Sequence, residues 1–206
     1  MSAPIKAPVG APFARIMGIG SYRPSRVITN EDICQNIDSS DEWIRERSGI
    51  TERRWADTDE NVVTMGAAAA QKALAGAGIT ADQIDTIIVA TCTHPYQTPS
   101  AASEIADLIG VPTAAAMDVS AACAGFAYGL AMSQDMVRGG SAGHVLLIGA
   151  EKLSEYTDKH DRSTAFLFAD GAGAVIIGPS DAPAISPVVW GGDGSQPQAL
   201  HQTQNN

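Results

Sequence analysis

The sequence has little of what several protein classes require. It contains three cysteines, Cys34, Cys92 and Cys123, an odd number at wide spacing. That arithmetic excludes a disulfide framework and matches no zinc-ligand spacing. No uninterrupted apolar run is long enough to cross a bilayer, so no membrane partner is expected. Positive charge is scarce: 13 basic residues stand against 23 acidic ones, for a net charge of −10. Such a balance disfavours nucleic acid as the main partner. Residues Met1 to Pro12 are rich in Ala and Pro, lack the apolar core of a signal peptide, and read as a disordered tail. A cytoplasmic location is the expectation from these features.

What is present alternates between strand and helix. Apolar runs at Ile16 to Gly20, Thr86 to Thr91, Ala114 to Val119, Val145 to Ile148 and Gly173 to Ile177 read as strands, with a further one at Ile185 to Trp190. Helical spacing marks Asn30 to Ile37, Asp41 to Arg47, and the Val63, Ala67, Ala70, Leu74 series that stops at Gly76 and Gly78. A further helix is capped by Ser100. Asn30 and Ser40 are expected N-caps. The alternation predicts an α/β layered domain over 13–193 with mostly parallel central strands, followed by a segment, 194–206, without a periodic pattern.

Cys123 carries the most information. It lies in Met117-Asp-Val-Ser-Ala-Ala-Cys123-Ala-Gly-Phe-Ala-Tyr-Gly129, where a strand gives way to a helix predicted over Ala124 to Arg138. Free N–H groups and partial positive charge gather at a helix N-terminus, and both favour a reactive thiolate. Small neighbours, Ala121, Ala122, Ala124 and Gly125, leave room for a carbonyl group to approach. The helix behind is apolar on more than one face, through Phe126, Leu130 and Val137 and through Tyr128, Met132 and Met136, which predicts burial. The alternative is a small buried apolar side chain, the commonest state of a free cysteine.

Basic residues cluster early. Arg23, Arg26, Arg45, Arg47, Arg53 and Arg54 are six of the thirteen. Most read as a solvated face with local acidic partners such as Asp41, Glu42 and Glu46. Trp43 and Arg47 share one helical face. An indole beside a guanidinium suits a purine with a phosphate. Asp170-Gly-Ala-Gly173 is not a dinucleotide loop, because β-branched strand residues follow it where a helix should begin. Its glycines, and those of Gly18-Ile-Gly20, are expected to allow tight backbone packing.

The segment Asp118-Val-Ser-Ala-Ala-Cys123-Ala-Gly-Phe126 closely resembles the active-site turn of the β-ketoacyl-acyl-carrier-protein synthase III family. Gly18-Ile-Gly-Ser-Tyr-Arg-Pro24, Ser39-Ser-Asp-Glu-Trp-Ile-Arg-Glu-Arg-Ser-Gly-Ile50, and Asp161-Arg162 with Phe168-Ala-Asp-Gly-Ala-Gly-Ala174 agree with it in order and spacing, from about Arg15 to Asp193. The resemblance implies the N-terminal half of a thiolase-like layered αβαβα fold, with a mixed central sheet and a buried helix. It implies Cys123 as the nucleophile that takes an acyl group from acyl-CoA before condensation with malonyl-acyl-carrier protein, the step that initiates fatty acid synthesis. It places Trp43, Arg47, Arg162 and Ser39 at coenzyme A, and Thr98 and Phe168 at the acyl pocket, Thr98 reaching it from the other subunit of a homodimer. A threonine there implies room for primers longer than acetyl; the alternative is that Thr98 only shapes the loop before Pro99. No metal or resident cofactor is implied, acyl-CoA being a substrate. The family's catalytic His and Asn lie beyond the point matching Asn206. His94, His144, His160 and His201 lie in no matching segment, so the chain is expected to be incomplete for condensation. A related acyltransferase of polyketide or secondary metabolism and a non-catalytic assembly half remain the alternative readings.

Overall fold

The computed structural model describes residues 9–198 and residue 201. One five-stranded sheet organises the chain, in the order β1-β7-β6-β4-β5. β4 (Thr86–Ala90) lies parallel to both β5 (Ala115–Val119) and β6 (Val145–Lys152). β7 (Asp170–Ser180) runs antiparallel to β6 and to β1 (Phe13–Tyr22), so the sheet is mixed. Every residue of β4 is buried, as expected of a strand covered on both faces.

Helices flank the sheet on both sides. α3 (Val62–Ala77) and α4 (Ala101–Leu108) pack with Ile87, Val89, Leu146, Ile148 and Ile176 on one side, and α5 (Gly125–Gly139) packs with Ile88, Leu147, Val175 and Ile177 on the other. The alanines of α3 bring it close to β1. A Cβ on Gly18 would stand 2.3 Å from the Ala73 carbonyl oxygen, and one on Gly20 would stand 2.1 Å from that of Ala69. These two glycines therefore serve the tight packing expected of them. Gly173 has nothing within 4 Å of a built Cβ, so the same expectation does not hold there.

A smaller unit holds α1 (Asn30–Cys34) and α2 (Asp41–Ser48) against a two-stranded sheet of β2 (Arg26–Thr29) and β3 (Glu52–Trp55). The Asn30 cap is a correction. Thr29 caps α1, and Asn30 is fully buried. Its amide donates to Asp41 (2.7 Å) and to the Ile50 carbonyl (2.8 Å), while its oxygen accepts from Arg53 (2.6 Å). A buried amide must satisfy its groups through tertiary partners, and that demand overrides its local cap preference.

Two further expectations change. Ile185 to Trp190 forms no strand. Pro187 removes a ladder donor from that run, and Val189 and Trp190 are exposed. α5 is not buried all round. Gly129 and Val137 are covered, whereas Phe126 is 38 % exposed. Within this chain the sheet covers one face of α5, and the stretch that reaches Gly191, the acceptor of the Tyr128 hydroxyl (3.3 Å), covers part of another.

At the N-terminal side, the Ala11 N–H donates to Val137 (3.2 Å) at the end of α5. Residues 9–12 are thus tied down rather than loose, and the remainder of the expected tail, 1–8, lies outside the described residues. Residues 194–198 carry no helix or strand, and 199–200 and 202–206 also lie outside the described residues.

Candidate active site

β5 carries the chain to Cys123. Asp118 on that strand accepts from the N–H groups of Ala101 (2.7 Å) and Ala102 (2.9 Å), so the strand and the start of α4 are fixed to each other. After Val119 the backbone turns sharply. Ala122 has φ of +44°, a left-handed conformation that a residue with a Cβ rarely adopts. Ala122–Ala124 then form one 3-10 turn, and α5 begins at Gly125. Cys123 therefore sits in the turn leading into the helix, as its sequence context predicts. It is exposed, which removes the reading of it as a buried apolar side chain. Gly125 makes this placement possible: a Cβ there would already stand 3.1 Å from that of Ala90.

Cys123 opens on a cleft of about 320 Å³ lined by Ala90, Phe126, Glu151, Ala169 and Asp170 among others. The alternation of β6 explains its floor. Leu147, Gly149 and Glu151 point to the α5 side, and Leu147 joins that core. Gly149 lies under Phe126, whose ring atom is 3.7 Å from a built Cβ. Glu151 comes next, beyond the start of the helix.

Four donors converge on the Glu151 carboxylate. Oε1 accepts from the Cys92 N–H (2.9 Å) and the Cys92 thiol (3.3 Å). Oε2 accepts from the Thr91 hydroxyl (3.4 Å) and the Thr93 hydroxyl. Burial first, and then the Glu151 charge, push the Cys92 thiol up to about 11. Asp170, the second acid in the lining, is buried. It accepts from the Ala56 N–H (2.7 Å), the Ser154 N–H (2.9 Å) and the Ser154 hydroxyl (2.5 Å). Glu151 and Cys92 were not singled out from sequence. The available signal was a charged pair, Glu151-Lys152, closing an apolar run. Open α/β sheets bind ligands beyond the carboxyl ends of their strands.

The residues expected to hold coenzyme A form a second region. The Arg162 guanidinium lies 4.5 Å from the centre of the Trp43 ring, and that of Arg47 lies 5.6 Å from it. Phe166 meets the same indole edge-on at 5.6 Å. Arg162 donates through Nε to the Asp38 carbonyl (2.5 Å), which docks its loop onto the Ser39 segment. Asp161 shapes that loop by accepting from Ser163 (2.9 Å at the backbone) and Thr164 (2.6 Å). These bonds hold its carboxyl below the usual range. The Ser39 hydroxyl oxygen is buried without a partner. Among the described residues neither arginine forms an ion pair. The four residues are thus together, with Arg162 itself stacked on the indole.

Thr98 and Phe168 do not line the Cys123 cleft of this chain. Thr98 is exposed on the loop after β4, and Phe168 is half-buried, its carbonyl accepting from the Trp55 indole N–H (3.4 Å). A larger hollow, about 690 Å³, is elsewhere, between Arg26, Trp55, Lys152 and Lys159. Its charges are largely spent: Lys152 pairs with Glu155 (2.9 Å) and Lys159 covers Trp55.

Comparison with known proteins agrees with this geometry. Residues 117–194 match the family model described as 3-oxoacyl-[acyl-carrier-protein (ACP)] synthase III. The chain is 56% identical over 199 residues to β-ketoacyl-[acyl-carrier-protein] synthase III of Streptomyces glaucescens, covering 97% of this chain and 60% of that protein. It is 49% identical over 198 residues to the mycobacterial enzyme of Mycolicibacterium paratuberculosis, with 96% and 59% covered. Among solved structures, the priming β-ketosynthase of the R1128 polyketide biosynthetic pathway superposes with a TM-score of 0.93 at 44% identity, over 97% of this chain and 59% of that one. The Aquifex aeolicus 3-oxoacyl-[acyl-carrier-protein] synthase III gives 0.80 at 44% identity, over 82% and 55%. The chain thus spans about 60% of the length of the curated relatives it matches, and the thiolase-like α/β fold with a mixed central sheet is the one it adopts.

Proposed function

We propose that this chain, which belongs to the 3-oxoacyl-[acyl-carrier-protein] synthase III family, forms the acyl-accepting part of such a condensing enzyme. The observation that carries the reading is the exposed Cys123, set on a strained turn at the head of α5 and opening on a cleft. The Cys123 thiolate attacks the carbonyl carbon of an acyl-CoA thioester. A new C–S bond forms, the bond to coenzyme A breaks, and coenzyme A leaves as a thiolate that takes up a proton. The Cys123 N–H, at the head of α5, supplies a donor to the oxyanion that develops. Trp43, Arg47 and Arg162 hold the adenine and phosphates through stacking and charge-assisted hydrogen bonds. The Ser39 hydroxyl supplies one further polar contact.

In the complete enzyme, malonyl-acyl-carrier protein then loses carbon dioxide, and the resulting carbanion attacks the acyl-enzyme. The resemblance assigns that step to a His and an Asn beyond the part of the family that this chain matches, and the complete enzyme is read as a homodimer working without a resident cofactor. Thr98 is read as leaving space for primers longer than acetyl. A completed enzyme that turns over acetyl-CoA alone would refute that point.

The test of the reading is the intact mass of the chain after incubation with acyl-CoA. An acyl adduct that disappears in Cys123→Ala supports it. No adduct, or one that persists in the variant, overturns it. The similarity to a polyketide priming synthase favours a second acceptor, a polyketide carrier protein. Condensation assays of the complete enzyme with both carrier types separate the two.

A further inference from the structure

The three cysteines are not equally placed. Cys34 ends α1 in the smaller unit. Cys92 and Cys123 leave the carboxyl ends of two neighbouring strands. β4 and β5 run parallel with Ala90 opposite Val119, and just beyond them the Thr91 N–H donates to the Val119 carbonyl (3.2 Å). Cys92 follows that tie directly on the side of β4, and Cys123 lies on the turn that leaves β5. Glu151 joins the two thiols. It lines the cleft on which Cys123 opens, and its Oε1 accepts from the Cys92 N–H (2.9 Å) and the Cys92 thiol (3.3 Å). Burial, then Glu151, and then the charge of Cys123 push the Cys92 thiol up to about 11, so each sulfur lies within the other's field. A disulfide needs Cβ atoms ~4 Å apart. Cys92 is in irregular chain and Cys123 is in a 3-10 turn, so an approach between them breaks no ladder hydrogen bond.

We infer that Cys92 is a resolving thiol for Cys123, so that hydrogen peroxide converts the pair into a Cys92–Cys123 disulfide and closes the nucleophile reversibly. Cys123 is exposed and Cys92 is half-buried, so Cys123 meets the oxidant first. Its thiolate attacks one peroxide oxygen. An S–O bond forms, the O–O bond breaks, and the other oxygen leaves as hydroxide, which becomes water. The Cys92 sulfur then attacks the Cys123 sulfenic acid. The S–S bond forms, the S–O bond breaks, and the hydroxyl leaves as water with the proton that Cys92 gives up through Glu151. Two thiols lose two electrons, and one peroxide takes them to become two waters. Cys92 is built for the second step rather than the first. Scarcely ionised, it is a poor target for peroxide in solution, yet its hydrogen is already bonded to a carboxylate at the cleft. A sulfenic acid without such a partner runs on to sulfinic acid, which thiols do not restore. The disulfide thus protects the nucleophile while it blocks it.

The experiment uses this chain, fully reduced and then exposed to excess hydrogen peroxide, with the remaining thiols blocked by iodoacetamide. Glu104 is the one glutamate between Cys92 and Cys123, so cleavage after glutamate places the two cysteines on separate fragments. Those fragments should stay joined until dithiothreitol is added, and Cys34→Ser should not alter the result. In Cys92→Ser the share of Cys123 that dithiothreitol returns to the thiol should fall by about tenfold, as Cys123 runs on to sulfinic acid. The mapping of the unaltered chain decides the matter even if that variant fails to fold. Fragments that separate without reductant while Cys123 carries sulfinic acid overturn the inference. So does a Cys123 bond to Cys34, or a bond found only between two chains. The joined fragments are read whether or not acyl-CoA labels Cys123, so the disulfide and the acyl-transfer reading fail separately.

Discussion

The Trp43 platform and the Cys123 cleft are opposites in construction. The platform is aromatic and cationic, with two guanidinium groups within 6 Å of one indole and no ion pair on either among the described residues. The cleft is lined mostly by small residues and carries two carboxylates, Glu151 and Asp170. One region has the groups that suit phosphate and adenine; the other sets a thiol beside small residues and two carboxylates. A thioester of coenzyme A has that same polarity, with its charge at one end and its reactive carbonyl at the other. In a protein of net charge −10, the platform is a local reversal of sign, which is how a charged handle can be steered while the reacting end is left neutral.

The sharpest test of the division is to remove the nucleophile. Cys123→Ala should abolish the acyl adduct outright while leaving coenzyme A affinity unchanged, measured by mass spectrometry and by titration calorimetry respectively. A variant that lost both would show that the two regions act as one site.

The next largest effect concerns the two neighbouring thiols. Burial and Glu151 push Cys92 from 9.0 to about 11. A two-unit rise lowers its thiolate fraction at pH 8 by about a hundredfold relative to an ordinary thiol. Iodoacetamide at pH 8 should therefore label Cys123 and spare Cys92, and labelling of Cys92 should rise steeply only as the pH approaches 11. Equal labelling of both at pH 8 would mean that Glu151 does not hold the Cys92 thiol.

A smaller loss is expected at the platform. Arg162→Ala removes one stacked guanidinium, and Trp43→Ala removes the surface that both arginines share. Each should weaken coenzyme A binding by about tenfold, given ~0.5–2 kcal/mol for such a contact. The loss should shrink in high salt for Arg162→Ala and much less for Trp43→Ala. Arg162→Lys should recover only part, since an ammonium cannot stack as a planar fork does. Full recovery would reduce the platform to bare charge.

Much of this was legible in the sequence because local pattern and tertiary role agree. Buried runs such as Thr-Ile-Ile-Val-Ala at β4 cannot be other than interior strands once glycine and proline bound them, and Ala122-Cys123-Ala124 reads as a turn from its place between strand and helix. The four residues expected at coenzyme A, which the structure brings together, were also visible, since they lie in contiguous motifs. The rest depended on partners far away in the chain. β3, Glu-Arg-Arg-Trp, has no apolar alternation. It is held by Arg53, which reaches the Ile28 carbonyl, Asn30 and the Phe166 carbonyl. Glu151 looks like a solvated charge until Thr91, Cys92 and Thr93 are seen around it. Ile185 to Trp190 failed as a strand for the opposite reason: its apolar pattern is adequate, but Pro187 spoils the ladder, and the run pairs with no strand among the described residues.

The smallest expected effect lies in the loop that delivers Arg162. Asp161 is half-buried, and its carboxyl is held low by hydrogen bonds from Thr164 and Ser163 rather than by charge partners. A depressed carboxyl stabilises the folded loop above the unfolded value near 3.8, and that support is lost as the pH falls through the folded value. Between pH 5 and pH 3 the Ser163 amide, which donates to Asp161 (2.9 Å), should lose hydrogen-exchange protection after correction for the intrinsic rate. The amides of Val145 to Ile148 in β6 should not respond over the same interval, because the strand residues they pair with, Thr86 to Val89 and Ala174 to Ile177, carry no titratable group. Asp161→Asn should make the loop insensitive to this acid step while lowering its protection at pH 7 by a few-fold, the loss of one charge-assisted acceptor at the surface. If acid loosened β6 together with the loop, the platform and the cleft would share one cooperative unit, and the separation of charge between them would be a property of the whole domain rather than of two independently held sites.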